Sequence, residues 1–517
     1  MLVAARAPGT PPGRRGGRGG ARAPASAEAG DHGCGIRRIE ERLSRPTVHY
    51  LSDEDREFVH AQTLRVLDEI GIAYNSPRAI ELVASAGAPV DRERLTARLP
   101  RELVEGCLAT VPSRVLLAAR DPAHDVVIDD ESLVFCTDGT ATYILDDRTG
   151  ERREGSAADL RRVMRLFDAL PEIDFVWPTL SARDLDPVTA NLEIETISLE
   201  SCAKHVQDEV RGPEYVAPLV DILEAVAGAS LWERPIFSTI DCTVAPLQHE
   251  HAMTEAAIDL ARAGVPINVL PMPLMGTTAP MSVLGTCIVN MAELLSAVVL
   301  FQLAAPGCSL ISGVGAATAE MRSGLYLAGA PEVALINLIC IEMNRFYGIR
   351  SMGCAVTADA KQNNLQAGAE GMLTGLACAL AGAESILAFG LLDGAQIVSL
   401  AKTVLDCDTV GAIRRFVRDD PVDVGAALLD DIGEVGIGGH YLGRRSTRDG
   451  LRAGVLWQPA TFQRGPFESY RDRRLVDEAI ERAEELLTTH EVPPLDDDVR
   501  QHLDKVTDAF RRASRQA

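Results

Sequence analysis

From about residue 157 onward, helical segments alternate with short apolar runs, and this rhythm constrains the fold more than any other feature of the chain. The runs are IDFVWP (173–178), AKHVQ (203–207), PIFSTIDC (235–242), PINVLPMP (266–273), CSLISG (308–313), IRSMGCAV (349–356) and ESILAFG (384–390). Each is strand-length, so each reads as a strand buried on both faces. Helices are expected between them, centred on 191–201, 214–227, 249–263, 281–304, 331–347, 364–381 and 398–417. An eighth strand is expected near 432–437. Units of this kind, repeating every thirty to forty residues or so, predict an α/β fold of the (β/α)8 TIM-barrel type. A doubly wound sheet is the alternative, but no GxGxxG follows the early strands.

The barrel is assigned to 157–440, with a helical and small β region over 37–156. In that region SDEDREFVHAQTLRVLDEIGI opens on Ser52 as a cap and closes on Gly71. Further helices are expected over Pro77 to Ala86 and Pro100 to Ala109, and short strands with a DDRTGE turn over 125–155. Residues 441–517 predict a helical extension on the barrel exterior or on a neighbouring subunit. Residues 1–36 carry five Arg against Glu28 and Asp31, and they lack a continuous apolar core for a signal peptide. They read as a disordered tail.

The net charge of −23 argues against nucleic-acid or anionic-membrane partners. Apolar runs are broken by Gly, Pro or charge before reaching a membrane span, which predicts a cytoplasmic enzyme. The 11 cysteines include no CxxC pair, so they read as reduced core thiols with no bound metal. Nucleophile elbow, P-loop and HExxH signatures are absent.

Candidate chemistry lies at the strand ends. The loop from Thr357 to Gln366 holds Asp359, Lys361, Gln362, Asn363 and Asn364. It reads either as a ligand loop or as a polar connection capping its helix. Lys204 and His205 lie in the second run and are assigned to its end, and His440 sits in the glycine turn GIGGHYLG beside Tyr441. His205 has a plain alternative as a hydrogen-bonded core residue. Trp177 reads as core filling or as one wall of a cation cage. Tyr143, Phe346, Tyr347, Phe389, Tyr441 and Trp457 are the other candidate walls.

The order of LDDRTGERREGSAADLRRVMRLFDALPEIDF, KHVQ, PMPLMGTTAP, LAGAPEVALINLICIEMNRFYGI, DAKQNNLQAGAEG, GGHYLG and EELLTTHEVPPLDDDV resembles the corrinoid-dependent trimethylamine methyltransferase family. No pyrrolysine is present, so the resemblance is to the non-pyrrolysine branch, which includes glycine betaine methyltransferases. One departure is Asn364, preceded by Asn363, where the resemblance implies an acidic residue.

The resemblance implies transfer of a methyl group from a methylated, quaternary amine to the Co(I) of a corrinoid (cobalamin) carried by a separate cognate protein. A homo-oligomer is also expected. On this reading Asp359, Gln366 and His440 act in catalysis, and Trp177, Lys204, His205, Lys361, Phe389 and Tyr441 line the substrate pocket. Alanine at Gln366 or His440 is then expected to cut methyl transfer at least about tenfold. The alternatives are another barrel enzyme, either a lyase or one using a different methyl donor, and a non-catalytic member that binds a quaternary amine.

Overall fold

The computed structural model describes residues 46–417 and 426–515. The expected tail over 1–36 lies outside the described residues.

Seven strands form one parallel sheet: β1 (Val134–Thr137), β2 (Val206–Glu209), β3 (Phe237–Val244), β4 (Ile267–Leu270), β5 (Leu310–Val314), β6 (Arg350–Cys354) and β7 (Ser385–Ala388). Their spatial order is β1-β7-β6-β5-β4-β3-β2, and every neighbouring pair is parallel. Residues 175–176 bridge the two ends of this order. Phe175 pairs in parallel with Cys136 of β1, and Val176 pairs in parallel with Val206 of β2. The amide of Val176 donates to the carbonyl of His205 at 2.9 Å, and the amide of Gln207 returns to Val176 at 2.8 Å.

A helix follows each strand or link: α1 (Ala157–Ala169), α2 (Ala190–Ser201), α3 (Val216–Ala227), α4 (His251–Ala263), α5 (Val283–Ala304), α6 (Pro331–Phe346), α7 (Leu365–Ala381) and α8 (Leu400–Phe416). Caps set their starts. Ser156 accepts from the amide of Asp159 before α1, and Ser282, Asn364 and Ser399 do the same before α5, α7 and α8. Glycines in left-handed conformation close α3, α4 and α7. Inside the sheet, Cys136, Phe175, Ile240, Leu270, Ile311, Met352 and Leu387 pack as one cluster. Val115, Leu117 and Ile128 of the hairpin 115–117/126–128 join it. The amide of Ala118 bonds the carbonyl of Pro235 just before β3, so the hairpin lies at the amino ends of the strands.

Two expectations need correction. The segment near 432–437 is not a strand; Ala426–Val435 is a helix. The remaining parallel strand is β1, which lies upstream of residue 157 and pairs with β7 through Cys136 and Leu387. Its short VFCT run is hidden among the flanking three-residue strands. The membrane-length expectation also changes, because α5 is 22 residues long and apolar enough to span. It is 72% buried over its apolar window and packs as a core helix.

The C-terminal helices Leu475–Thr489 and Asp497–Ser514 lie against the outer helices, the first on α8 and α1, the second on α3 and α2. His490 Nε2 meets Asp168 of α1 at 2.6 Å.

Candidate active site

A cavity of about 400 Å3 opens at the carboxyl ends of the strands. Its wall draws on every unit: Asp138, Gly139 and Thr140 after β1, Trp177 after the 175–176 link, Glu209 of β2, Cys242 of β3, and Leu270 and Met272 from β4 onward. Gly315, Tyr326 and Ala328 follow β5; Cys354, Ala355 and Thr357 come from β6; Gly394, Ala395 and Gln396 follow β7. Alternation along the strands explains the set. Gln207 and Glu209, Ile240 and Cys242, Asn268 and Leu270, and Met352 and Cys354 point to one side, so the last inward residue of each strand reaches the mouth.

Two carboxyls face this space. Asp138 accepts from the Thr357 hydroxyl at 2.7 Å, and burial pushes its pKa up to about 6. Glu209 is also raised, first by burial and then by the charge of Asp208; its side-chain contact is the Cys242 thiol at 3.6 Å. Burial holds the Cys242 and Cys354 thiols well above their ordinary range, so neither is a thiolate nucleophile at neutral pH.

The aromatic wall is Trp177, buried beneath the mouth. Its indole N–H donates to Asp208 at 2.9 Å, while its amide and carbonyl both bond the Thr137 hydroxyl at 2.7 Å. Behind it, burial raises Glu195 far above the carboxylate range, leaving Asp208 as the acceptor. A Cβ on Gly139 would fall 2.2 Å from the indole, so the chain lies directly against the ring. Tyr326 supplies a second aromatic group on the wall.

Residues named from sequence are dispersed. Trp177 lines the cavity, and so does Thr357 of the polar loop. Asp359 lies one turn back, accepting the amides of Ala328 (2.7 Å) and Gly329 (3.0 Å), and so fixes the turn that carries Tyr326 and Ala328. Lys361 is exposed and paired with Asp393. Asn364 caps α7, and Asn363 donates to Asp147 and Ser399. Gln366 is exposed and donates to Glu370. Lys204 is buried and donates to the carbonyls of Phe167 and Leu170 at the end of α1, both at 2.7 Å. His205 lies between the Ala118 carbonyl (2.7 Å) and Ser238 (2.9 Å), and burial lowers its pKa to about 4.

Both Lys204 and His205 precede β2, on the hairpin side of the sheet. Phe389 is buried in the turn after β7. His440 and Tyr441 are exposed in the segment after the 426–435 helix. Asp359, Gln366 and His440 therefore do not meet on the cavity wall. Of the other aromatic candidates, Tyr143 lies under Arg152, Phe346 and Tyr347 pack with His60, and Trp457 packs with Phe462. Glu209 and Asp138 went unnamed from sequence, although QDEV and TDGT mark them as the acidic ends of apolar runs.

Asp138 makes a stability prediction with a definite sign. The native state holds this proton more tightly than the unfolded chain does, so the contribution is full below pH 3.8 and is lost as pH rises through about 6. Asp138→Asn is expected to raise stability at pH 7.5 by roughly 1–3 kcal/mol and to flatten the pH dependence of urea unfolding between those values. An unchanged profile would place the raised group elsewhere.

A second cavity of about 220 Å3 lies outside the sheet among Asp147, Arg148, Arg153 and Glu484. Of its arginines, Arg148 is committed to Glu484 and Arg153 to Asp159. Among the described residues no group of three His, Cys, Asp or Glu is placed to hold a metal ion.

Helices around a parallel sheet define a fold class shared with a methylamine methyltransferase of known structure. The chain superposes on the crystal structure of the Methanosarcina barkeri monomethylamine methyltransferase (MtmB) with a TM-score of 0.50 at 13% identity, over 90% of this chain and 87% of that one. The family model for trimethylamine methyltransferase (MTTB) matches residues 14–515, and the chain belongs to that family. It is 30% identical over 403 residues to trimethylamine methyltransferase MttB of Desulfitobacterium hafniense, covering 78% of this chain and 81% of that protein. It is 29% identical over 483 residues to MttB of Methanosarcina barkeri, covering 92% and 97%. It is 27% identical over 460 residues to the glycine betaine methyltransferase of Desulfitobacterium hafniense, covering 88% and 95%.

Proposed function

We propose that this protein transfers a methyl group from a quaternary methylammonium to the Co(I) of a corrinoid carried by a separate protein, in the cytoplasm. The carrying observation is the wall of the cavity: Trp177, Tyr326, Asp138 and Glu209 surround one space at the strand ends. Aromatic faces and carboxylates attract a cation that cannot donate a hydrogen bond. We also propose that the sheet closes as an eight-stranded barrel through residues 175–176, which the Cys136–Phe175 and Val176–Val206 bridges support.

The wall fits an external acceptor. Its thiols are held neutral, so the cavity's own cysteines are poor methyl acceptors. A Co(I) corrinoid supplies a strong nucleophile for the methyl carbon. The protein's residues bind, orient and exclude water. Trp177 and Tyr326 hold the N-methyl group, and Glu209 fixes the charge. The amine leaves neutral, so no side chain has to move a proton. Over-stabilising the cation would slow transfer, which suits an open wall of two aromatic groups and two carboxyls better than a closed cage. The rim presents exposed Met272, Met281, Met321 and Leu325 as an apolar surface for the carrier protein.

The test is anaerobic mixing of the protein with free cob(I)alamin and a panel of methylated amines, followed by the absorbance change to methylcobalamin. Turnover with a quaternary amine and none with methyl thioethers is expected. No methylation from any amine, with the cognate corrinoid protein also supplied, would overturn the proposal.

A further inference from the structure

The charges around the cavity narrow the substrate further. Asp138 and Glu209 both face it, and no lysine, arginine or histidine lines it among the described residues. Neither carboxyl has a cation within ion-pair distance among those residues; Glu209 has the Cys242 thiol and Asp138 the Thr357 hydroxyl. Lys361 and Arg152 both pair with Asp393, and Arg152 also lies 4.4 Å over the Tyr143 ring. Arg211 acts on Glu209 by charge alone and lies outside the wall.

We infer that this site selects a quaternary ammonium whose remaining substituent is uncharged, alkyl or hydroxyl-bearing, and rejects betaines that carry a carboxylate. The inference rests on the proposed methylammonium reading and deepens it. A betaine has no net charge, so its carboxylate cancels much of the attraction that draws the cation in. Inside a cavity of about 400 Å3 that carboxylate would also lie near one of two others, with no guanidinium or ammonium to receive it. The neutral polar residues present include Thr140, Thr357, Tyr326 and Gln396, which suit an alcohol better than an anion.

The test is isothermal calorimetry on the full-length protein at pH 7.5. The probes are tetramethylammonium, choline, glycine betaine and the neutral choline isostere 3,3-dimethylbutan-1-ol. Choline and tetramethylammonium are expected to bind at least about tenfold tighter than glycine betaine and than the neutral isostere. Glu209→Gln should weaken choline by about tenfold or more and shrink its advantage over betaine; Asp138→Asn gives a second reading of the same effect. The wild-type ratio decides even if a variant fails to fold. Betaine bound as tightly as choline or tighter overturns this selectivity while leaving the methylammonium reading intact. Binding of no quaternary cation overturns both.

Discussion

Gly139→Ala is expected to lower kcat/KM for methyl transfer by about a hundredfold or more while the protein stays folded. A methyl group there would sit 2.2 Å from Cε2 of Trp177 and 2.5 Å from Cδ2 and Nε1. No real Cβ approaches a ring that closely, so ring or chain must move. The ring is the less constrained at its cavity edge. Its other side is held by the bond to Asp208, and its backbone is bonded twice to Thr137. The displaced indole would enter the space meant for the N-methyl group. A desolvated cation–π contact contributes about 2 kcal/mol, and misorientation of the methyl carbon adds to that loss. Trp177→Phe removes the Asp208 bond but keeps a flat face, and should lose less. Unaltered kinetics in Gly139→Ala would mean that Trp177 does not contact substrate.

Asp406→Ala is expected to destabilise the protein by about 3–5 kcal/mol, read as a lower urea midpoint. Lys402 and Asp406 are buried one turn apart on α8, with both carboxylate oxygens 2.7 Å from the ammonium. The pair does more than neutralise itself. Lys402 also donates to the carbonyl of Val356 at 3.1 Å, and Asp406 accepts the amide of Gly390 at 2.8 Å. Val356 and Phe389 both hold left-handed backbone, at φ 63° and 74°, which a β-branched or aromatic residue adopts only when its surroundings enforce it. One ion pair thus pins the turns after β6 and β7, which deliver Thr357 and residues 394–396 to the cavity. Removing Asp406 leaves a buried ammonium uncompensated and frees the Gly390 turn, so methyl transfer should fall with stability. A variant as stable as wild type would show that these turns hold without the pair.

The outer architecture was legible because its signals are local. Periodicity and caps placed α2 through α8 within a few residues, and the strands between them near their observed positions. β1 was read only as one of the short strands over 125–155, because its four residues resemble the neighbouring hairpin strands. Only pairing with β7, some 250 residues away, distinguishes it. The polar loop after β6 was found, but its roles were not separable in sequence. Asn364 caps, Asn363 and Asp359 brace other loops, and only Thr357 among its polar residues reaches the cavity. Lys204 and His205 misled because sequence does not say at which end of a strand a residue lies. Two residues later, Gln207 and Glu209 follow the same inward alternation, and Glu209 is at the mouth. His440 shared a glycine-rich turn with no strand behind it.

On the proposed function, a quaternary methylammonium rests against Trp177 at the carboxyl ends of the strands. A crystal structure with tetramethylammonium bound tests it most directly. The nitrogen is expected within about 6 Å of the Trp177 ring and beside the Glu209 carboxylate, with one methyl group turned toward the open mouth. A cation seated elsewhere, with that cavity holding only water at saturating ligand, would contradict it.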